Sequence, residues 1–304
     1  MTRKTPIDVG ASVRARLLTL SKTRREDFTL TLVNYAAERF LYRLSKSGHR
    51  ERFTLKGAML FAARIGEQYR PTRDLDLLGT GEATERAVDA VVRDIVATSV
   101  ADDGLIFDLS TLRVQAIRED NRHGGMRATL QAHLAGARIP IQIDVGFGDV
   151  VTPAATYLEF PTLLEGMPSP SVLAYPIETV VAEKVEAMVD LGISNSRMKD
   201  FTDIAVAARR AAFDGASLVE AIRATFHRRG TAIPGDEFVA LTDTFIHDAA
   251  AQANWKAFAR RSQAPFESLE QLVSELRTFL RVPLKRARAE AGVTGRWSPG
   301  GPWV

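Results

Sequence analysis

Two runs of this chain alternate apolar and polar residues with a period of two, which restricts them to strands with one buried face. They are Asp74-Leu-Asp-Leu77 and Ile139-Pro-Ile-Gln-Ile-Asp-Val-Gly-Phe147. In an extended segment alternate side chains share a face. Leu75 and Leu77 therefore turn into a core and leave Asp74 and Asp76 pointing together. In the second run Ile139, Ile141, Ile143, Val145 and Phe147 face one way, with Gln142 and Asp144 facing the other. Carboxylates held side by side repel, and they stay ionised when a cation lies between them. Hard divalent ions such as Mg2+ or Mn2+ take such oxygen ligands, usually together with a phosphate-bearing substrate.

The rest of the chain supplies the surroundings for such a sheet. Residues 12–46 predict two helices, the second with Leu30, Val33, Ala36, Phe40, Leu41 and Leu44 near a 3.6-residue period and Gly48 as its terminator. Phe53-Thr-Leu55 predicts a short strand ending at Gly57, and a helix starts at Ala58. A helix over about 83–98 follows the Asp74 strand. Residues 105–147 predict a β-meander, with one turn at 121–125 and the next at Gly136. From Pro176 to about Leu284 helical periods dominate. The Gly- and Pro-rich stretch 292–304 is expected to fray. The fold class is α+β, divided into an N-terminal helical arm (1–50), an α/β core (51–165), a helical C-terminal domain (176–285) and a basic tail (286–304).

With 304 residues, 45% hydrophobic and 25% charged, the composition is that of a soluble globular protein. The absence of cysteine excludes disulfides and Cys-based zinc sites, and the five histidines show no metal-binding spacing. No apolar run approaches the ~20 residues of a membrane helix, and no apolar signal core follows Arg3 and Lys4. The expected location is the cytoplasm. A net charge of +3 is compatible with a polyanionic partner without requiring one.

Four segments occur in order: Lys56-Gly-Ala58, Arg70-x-Thr-Arg-Asp-Leu-Asp76, Ala182-Glu-Lys-x-x-Ala-Met188 and Ser196-Arg-Met-Lys-Asp-Phe-Thr-Asp203. Together they resemble the AbiEii/AbiGii toxin family of nucleotidyl transferases over about residues 25–282. The resemblance implies a DNA-polymerase-β-like core, two-metal catalysis and a toxin–antitoxin setting with a cognate antitoxin encoded nearby. Some relatives, the MenT toxins, add pyrimidine nucleotides to the 3′ end of tRNA. On this reading Asp74, Asp76 and Asp144 hold Mg2+ or Mn2+. Gly57, Ala58, Arg70, Arg73, Lys184, Lys199 and Asp200 bind the nucleoside triphosphate. Lys184 and Asp203 join the three metal-binding aspartates as catalytic residues. Many family members carry Gly-Gly or Gly-Ser where this chain has Gly57-Ala58; alanine keeps the backbone amides and removes a hydroxyl.

Each of these residues also has an ordinary reading. Lys184 shares a helical face with Ile177, Val181 and Met188 and so interrupts an apolar stripe. Its ammonium must meet an anion or snorkel to water. Asp200 and Asp203 are good first-turn acids for a helix, capped by Asn195 or Ser196; Asp203 could also orient Lys184 or deprotonate an acceptor hydroxyl. The basic clusters Arg209-Arg210, Arg223/His227-Arg228-Arg229, Arg260-Arg261 and Lys285-Arg286/Arg288 could be solvated faces, RNA contacts or an antitoxin surface. The function expected from these features is transfer of a nucleoside monophosphate from NTP to RNA, at the 3′ end of tRNA. The alternatives are a protein or small-molecule acceptor, and a non-catalytic interaction module on the same fold.

Overall fold

The computed structural model describes residues 8–66, 72–117, 124–235, 238–289 and 295–304. The chain forms two compact units. The first comprises Met1–Ala63, Thr72–Gly148 and Thr156–Ala174; the second comprises Arg64–Pro71, Asp149–Ala155 and Tyr175–Val304.

Helices α1 (Val9–Arg24) and α2 (Phe28–Lys46) open the first unit. Each starts where an aspartate accepts an otherwise orphaned amide: Asp8 from Ala11 and Asp27 from Leu30. Next come β1 (Phe53–Lys56), α3 (Gly57–Ile65), β2 (Asp74–Gly79), α4 (Glu85–Ala97) and the meander β3 (Ile106–Ile117), β4 (Gly125–Leu134) and β5 (Ala137–Phe147). Strands β6 (Thr156–Glu159) and β7 (Ser171–Ala174) complete a seven-stranded sheet of order β3-β4-β5-β2-β1-β7-β6. The β2–β5 and β1–β7 pairs are parallel and the others antiparallel. The sheet is therefore mixed.

The helical arm expected over 1–50 is instead a layer of this unit. Helix α2 packs against β5, β7 and α4, and it is buried nearly all round, Glu38, Arg39 and Arg43 included. Arg43 makes a two-pronged pair with buried Asp103 at 2.7 and 3.1 Å. Glu38 pairs with Arg39 at 2.6 Å and accepts the Leu163 amide. Pairing of this kind makes such burial tolerable, and an apolar period alone does not reveal it.

The second unit is built from α5 (Ile177–Leu191), α6 (Met198–Arg210), β8 (Phe213–Asp214), α7 (Gly215–Arg229), α8 (Asp243–His247), α9 (Ala249–Ala259), α10 (Leu269–Arg288) and β9 (Arg296–Trp297). Helices α5 and α10 both pack on α6 and α7. The tail expected to fray is ordered from Gly295: β9 pairs with β8, and Trp297 is 3% exposed. Pro283 lies inside α10 and has no N–H for the Phe279 carbonyl one turn earlier. The Trp303 indole donates to that carbonyl instead, at 2.8 Å, and its ring stacks on Phe279. Trp297 donates to the Ala208 carbonyl at 2.6 Å. Both indoles thus keep a partner while burying aromatic surface. Among the described residues no helix is long and apolar enough to cross a membrane.

Candidate active site

Strand register assembles the acidic face of the first unit. Parallel pairing of β2 with β5 sets Asp76 opposite Asp144 and Asp74 opposite Gln142. Antiparallel pairing of β1 with β2 sets Lys56 opposite Asp76, and β4 sets Arg127 opposite Asp144. Residues opposite one another in neighbouring strands share a face, so a row Lys56–Asp76–Asp144–Arg127 crosses four strands with two acids between two bases. Leu75 and Leu77 are buried beneath it, as are Ile141, Ile143 and Val145.

Arg127 was not among the residues the sequence singled out. Its Nε donates to Asp144 Oδ1 at 2.8 Å and its Nη2 to Oδ2 at 2.7 Å, and Gln142 donates to Oδ2 at 3.1 Å. The hydrogen bonds to Asp144 hold the guanidinium above its ordinary pKa, reinforced by the charges of Asp144, Asp74 and Asp76. A signal for it was present. The two residues Ala135 and Gly136, both at positive φ, form the β4–β5 turn. A two-residue hairpin sets the register, and counting outward from it brings Arg127 opposite Asp144.

Three carboxylates on one sheet face are the donor chemistry a hard divalent ion requires, so the residues present fit Mg2+ or Mn2+. Among the described residues, no three acidic or histidine side chains converge as closely as a finished ion site. Asp144 is engaged by Arg127.

Gly57 stands directly over this row. Its φ is +71°, and a Cβ there would lie 2.6 Å from Asp76 Cγ and overlap Oδ2. The β1–α3 turn therefore needs glycine twice over, for its backbone conformation and for the approach of the carboxylate. Gly57→Ala is expected to displace Asp76 and to cost about 2 kcal/mol or more of stability. Chemical denaturation, with a Gly48→Ala control whose Cβ meets nothing within 4 Å, checks this. Ala58 follows as the second residue of α3. Arg73 is exposed and lines, with Asp74, Thr129 and Gln142, a cavity of about 320 Å³. Arg70 lies outside the described residues.

A second polar cluster belongs to the helical unit. Lys184 on α5 reaches Asp200 Oδ1 at 2.6 Å and Asp203 Oδ2 at 2.7 Å, both on α6, and Arg197 reaches Asp200 Oδ2 at 2.7 Å. Both aspartates are 1% exposed. Lys184 therefore meets buried anions and does not snorkel to water. Burial pushes the Asp200 carboxyl up, but Lys184 and Arg197 outweigh it and hold the group below the usual range. Burial raises the Asp203 carboxyl well above that range. One ammonium thus contacts both carboxyls, Asp200 and Asp203. The cap of helix α6 is Arg197, one residue after Ser196 and two after Asn195, and its amide donates to the Asn195 side chain at 2.8 Å. Lys199 is exposed.

Three of the basic residues proposed for RNA have structural partners instead. Arg229 reaches Glu186 at 2.7 Å, Asp149 at 3.5 Å and Glu183 at 3.7 Å. Arg209 pairs with Glu275 and lies over the Phe266 ring, and Arg223 donates to the carbonyls of Arg286 and Ala287 at the end of α10. Side chains of Arg228, Arg260, Arg261, Lys285, Arg286 and Arg288 are exposed. Sequence clustering could not separate these groups, because the carboxylates that take up Arg209 and Arg229 lie on other elements.

Comparison with known proteins identifies a family. The model of the nucleotidyl transferase AbiEii toxin family, of type IV toxin–antitoxin systems, matches residues 39–278. No curated protein matches. Two similar solved structures come from Helicobacter pylori. One, a proposed nucleotidyltransferase, is 13% identical with a TM-score of 0.44, covering 84% of this chain and 93% of its own. The other, JHP933, is 14% identical with a TM-score of 0.44, covering 84% and 91%. With most of its length matched by the family model, the chain belongs to the AbiEii family of nucleotidyl transferase toxins.

Proposed function

We propose that this transferase moves a nucleoside monophosphate from an NTP to the 3′ hydroxyl of an RNA, the 3′ end of tRNA, using Mg2+ or Mn2+. The observation that carries the metal-dependent part is the placing of Asp74, Asp76 and Asp144 on one face by strand register. Bound there, a divalent ion would lower the pKa of the attacking hydroxyl and neutralise the triphosphate. The hydroxyl oxygen forms a bond to the α-phosphorus, the bond to the pyrophosphate oxygen breaks, and the hydroxyl proton is released to solvent. Gly57 and Ala58 open α3, whose first amides offer donors to phosphate oxygens. Exposed Arg73 and the half-buried Lys56 add positive charge beside the carboxylates. In the helical unit, Asp200 and Asp203 orient the Lys184 ammonium, and Lys184 and Lys199 are proposed as further nucleotide contacts.

The RNA acceptor is supported by the exposed cations of the C-terminal half, with Lys285 and Arg286 on α10 the pair to test. Each labelled NTP is incubated with total RNA, with a divalent ion or with a chelator. Label is expected in RNA, with pyrophosphate released and both lost on chelation. Label in protein moves the assignment to a protein acceptor, and absence of transfer from every NTP overturns the reading. RNA affinity should fall steeply with salt, because each phosphate contact releases counterions. The double substitution Lys285→Glu/Arg286→Glu should flatten that slope while leaving nucleotide affinity unchanged.

A further inference from the structure

The proposed metal site contains a cation of its own. Arg127 grips both oxygens of Asp144, the carboxylate directly opposite Asp76. The pair is largely shielded, with Asp144 19% and Arg127 34% exposed at the side chain. Gln142 adds a third donor to the same carboxylate. Two-pronged guanidinium–carboxylate pairs are among the strong hydrogen-bonded contacts in proteins. A divalent ion approaching Asp144 therefore meets a carboxylate already neutralised, and a positive charge within hydrogen-bonding distance of the oxygens it would bind.

We infer that Arg127 is a displaceable counter-ion of Asp144: it weakens binding of a divalent cation alone and makes that binding depend on the nucleotide. The inference rests on the metal-dependent reading above. When the cation takes Asp144, the guanidinium loses its partner and needs another anion. The triphosphate is the anion the reaction brings to this face. Charge balance points the same way. The row Lys56, Asp76, Asp144 and Arg127 is neutral, and Asp74 adds a single negative charge, so a divalent ion alone would leave the face positive. The triphosphate supplies negative charge that offsets the ion and the released guanidinium, so each should favour the binding of the other. Lys56 does not duplicate this role, since it lies at the opposite end of the row, across β2 from Asp144.

The test is the equilibrium affinity for Mn2+ of wild type, Arg127→Gln, Arg127→Lys and Asp76→Ala, each confirmed folded by its melting curve. Affinity is measured without nucleotide and then with a non-transferable NTP analogue. Arg127→Gln is expected to bind Mn2+ alone about tenfold more tightly than wild type, the size of one lost charged hydrogen bond. The gain on adding the analogue should shrink. Arg127→Lys keeps the charge but not the fork, and its affinity should fall between the two; if Arg127→Gln does not fold, this variant decides. A merely structural role for Arg127 would lower Mn2+ affinity on substitution, never raise it. Mn2+ binding that is lost in Asp76→Ala yet equal in wild type and the Arg127 variants overturns the inference alone. A wild type that binds no Mn2+, with or without the analogue, overturns the metal-dependent reading and the inference with it.

Discussion

Asp76→Ala is expected to reduce nucleotidyl transfer by about a thousandfold or more while leaving the fold intact. The magnitude follows from losing several kcal/mol of transition-state charge stabilisation at about 1.4 kcal/mol per factor of ten. Asp76 occupies the central position of the acidic face, opposite both Lys56 and Asp144 and directly beneath Gly57. Its backbone lies in a strand paired on both sides, so removing the carboxylate does not open the core. The melting temperature should therefore stay within a few degrees of wild type. Single-turnover transfer from labelled NTP, compared with Asp76→Asn, is the measurement. A folded Asp76→Ala protein with near-normal transfer would remove the metal-site reading.

Lys184→Met is expected to destabilise the protein by about 3–5 kcal/mol, the range for breaking a buried pair by removing one partner. Methionine keeps most of the stem volume, so the loss reads the ammonium and not the packing. Asp200 would keep Arg197, while Asp203 would lose its cation in a site 1% exposed. Asp203→Asn should cost far less, because a neutral amide of the same shape needs no counter-charge in the buried site and Lys184 keeps Asp200. The two differ in pH dependence. With its folded pKa raised, Asp203 binds more protons in the folded than in the unfolded state. Its contribution is fully present below the unfolded value of about 3.9 and is lost as pH rises through the raised folded value. Asp200, held low, acts oppositely: its contribution is present above the unfolded value and is lost as pH falls through the folded one. Denaturation of wild type and Asp203→Asn across acid to neutral pH should show a wild-type loss on raising pH that the variant lacks. Parallel pH profiles would show that Asp203 is ionised in the folded state. In the same samples, nucleotide affinity of Lys184→Met at a temperature where it remains folded separates a ligand contact from a stabilising role.

Sequence alone determined whatever depends on neighbours along the chain. The period-two alternation of Asp74–Leu77 and Ile139–Phe147 decided which faces are buried, because successive strand side chains must point oppositely. The motifs named the family. Glycine at position 57 announced a special turn. Tertiary structure alone decided what depends on which elements come to lie side by side. The insertion of β2 between β1 and β5 made neighbours of Asp76 and Asp144, although 67 residues separate them in the chain. It also decided that Asp144 is held by Arg127, that the charge of Lys184 is shared by two aspartates on the next helix, and that Arg229 is taken up by three carboxylates. The tail shows the same division. The Gly and Pro content of 292–304 reads locally as fraying, but the Trp303 indole supplies the donor that Pro283 denies to the Phe279 carbonyl. Periodicity tells which side of an element seeks a partner, whereas the identity of that partner is set by pairing between distant segments, which local pattern does not encode.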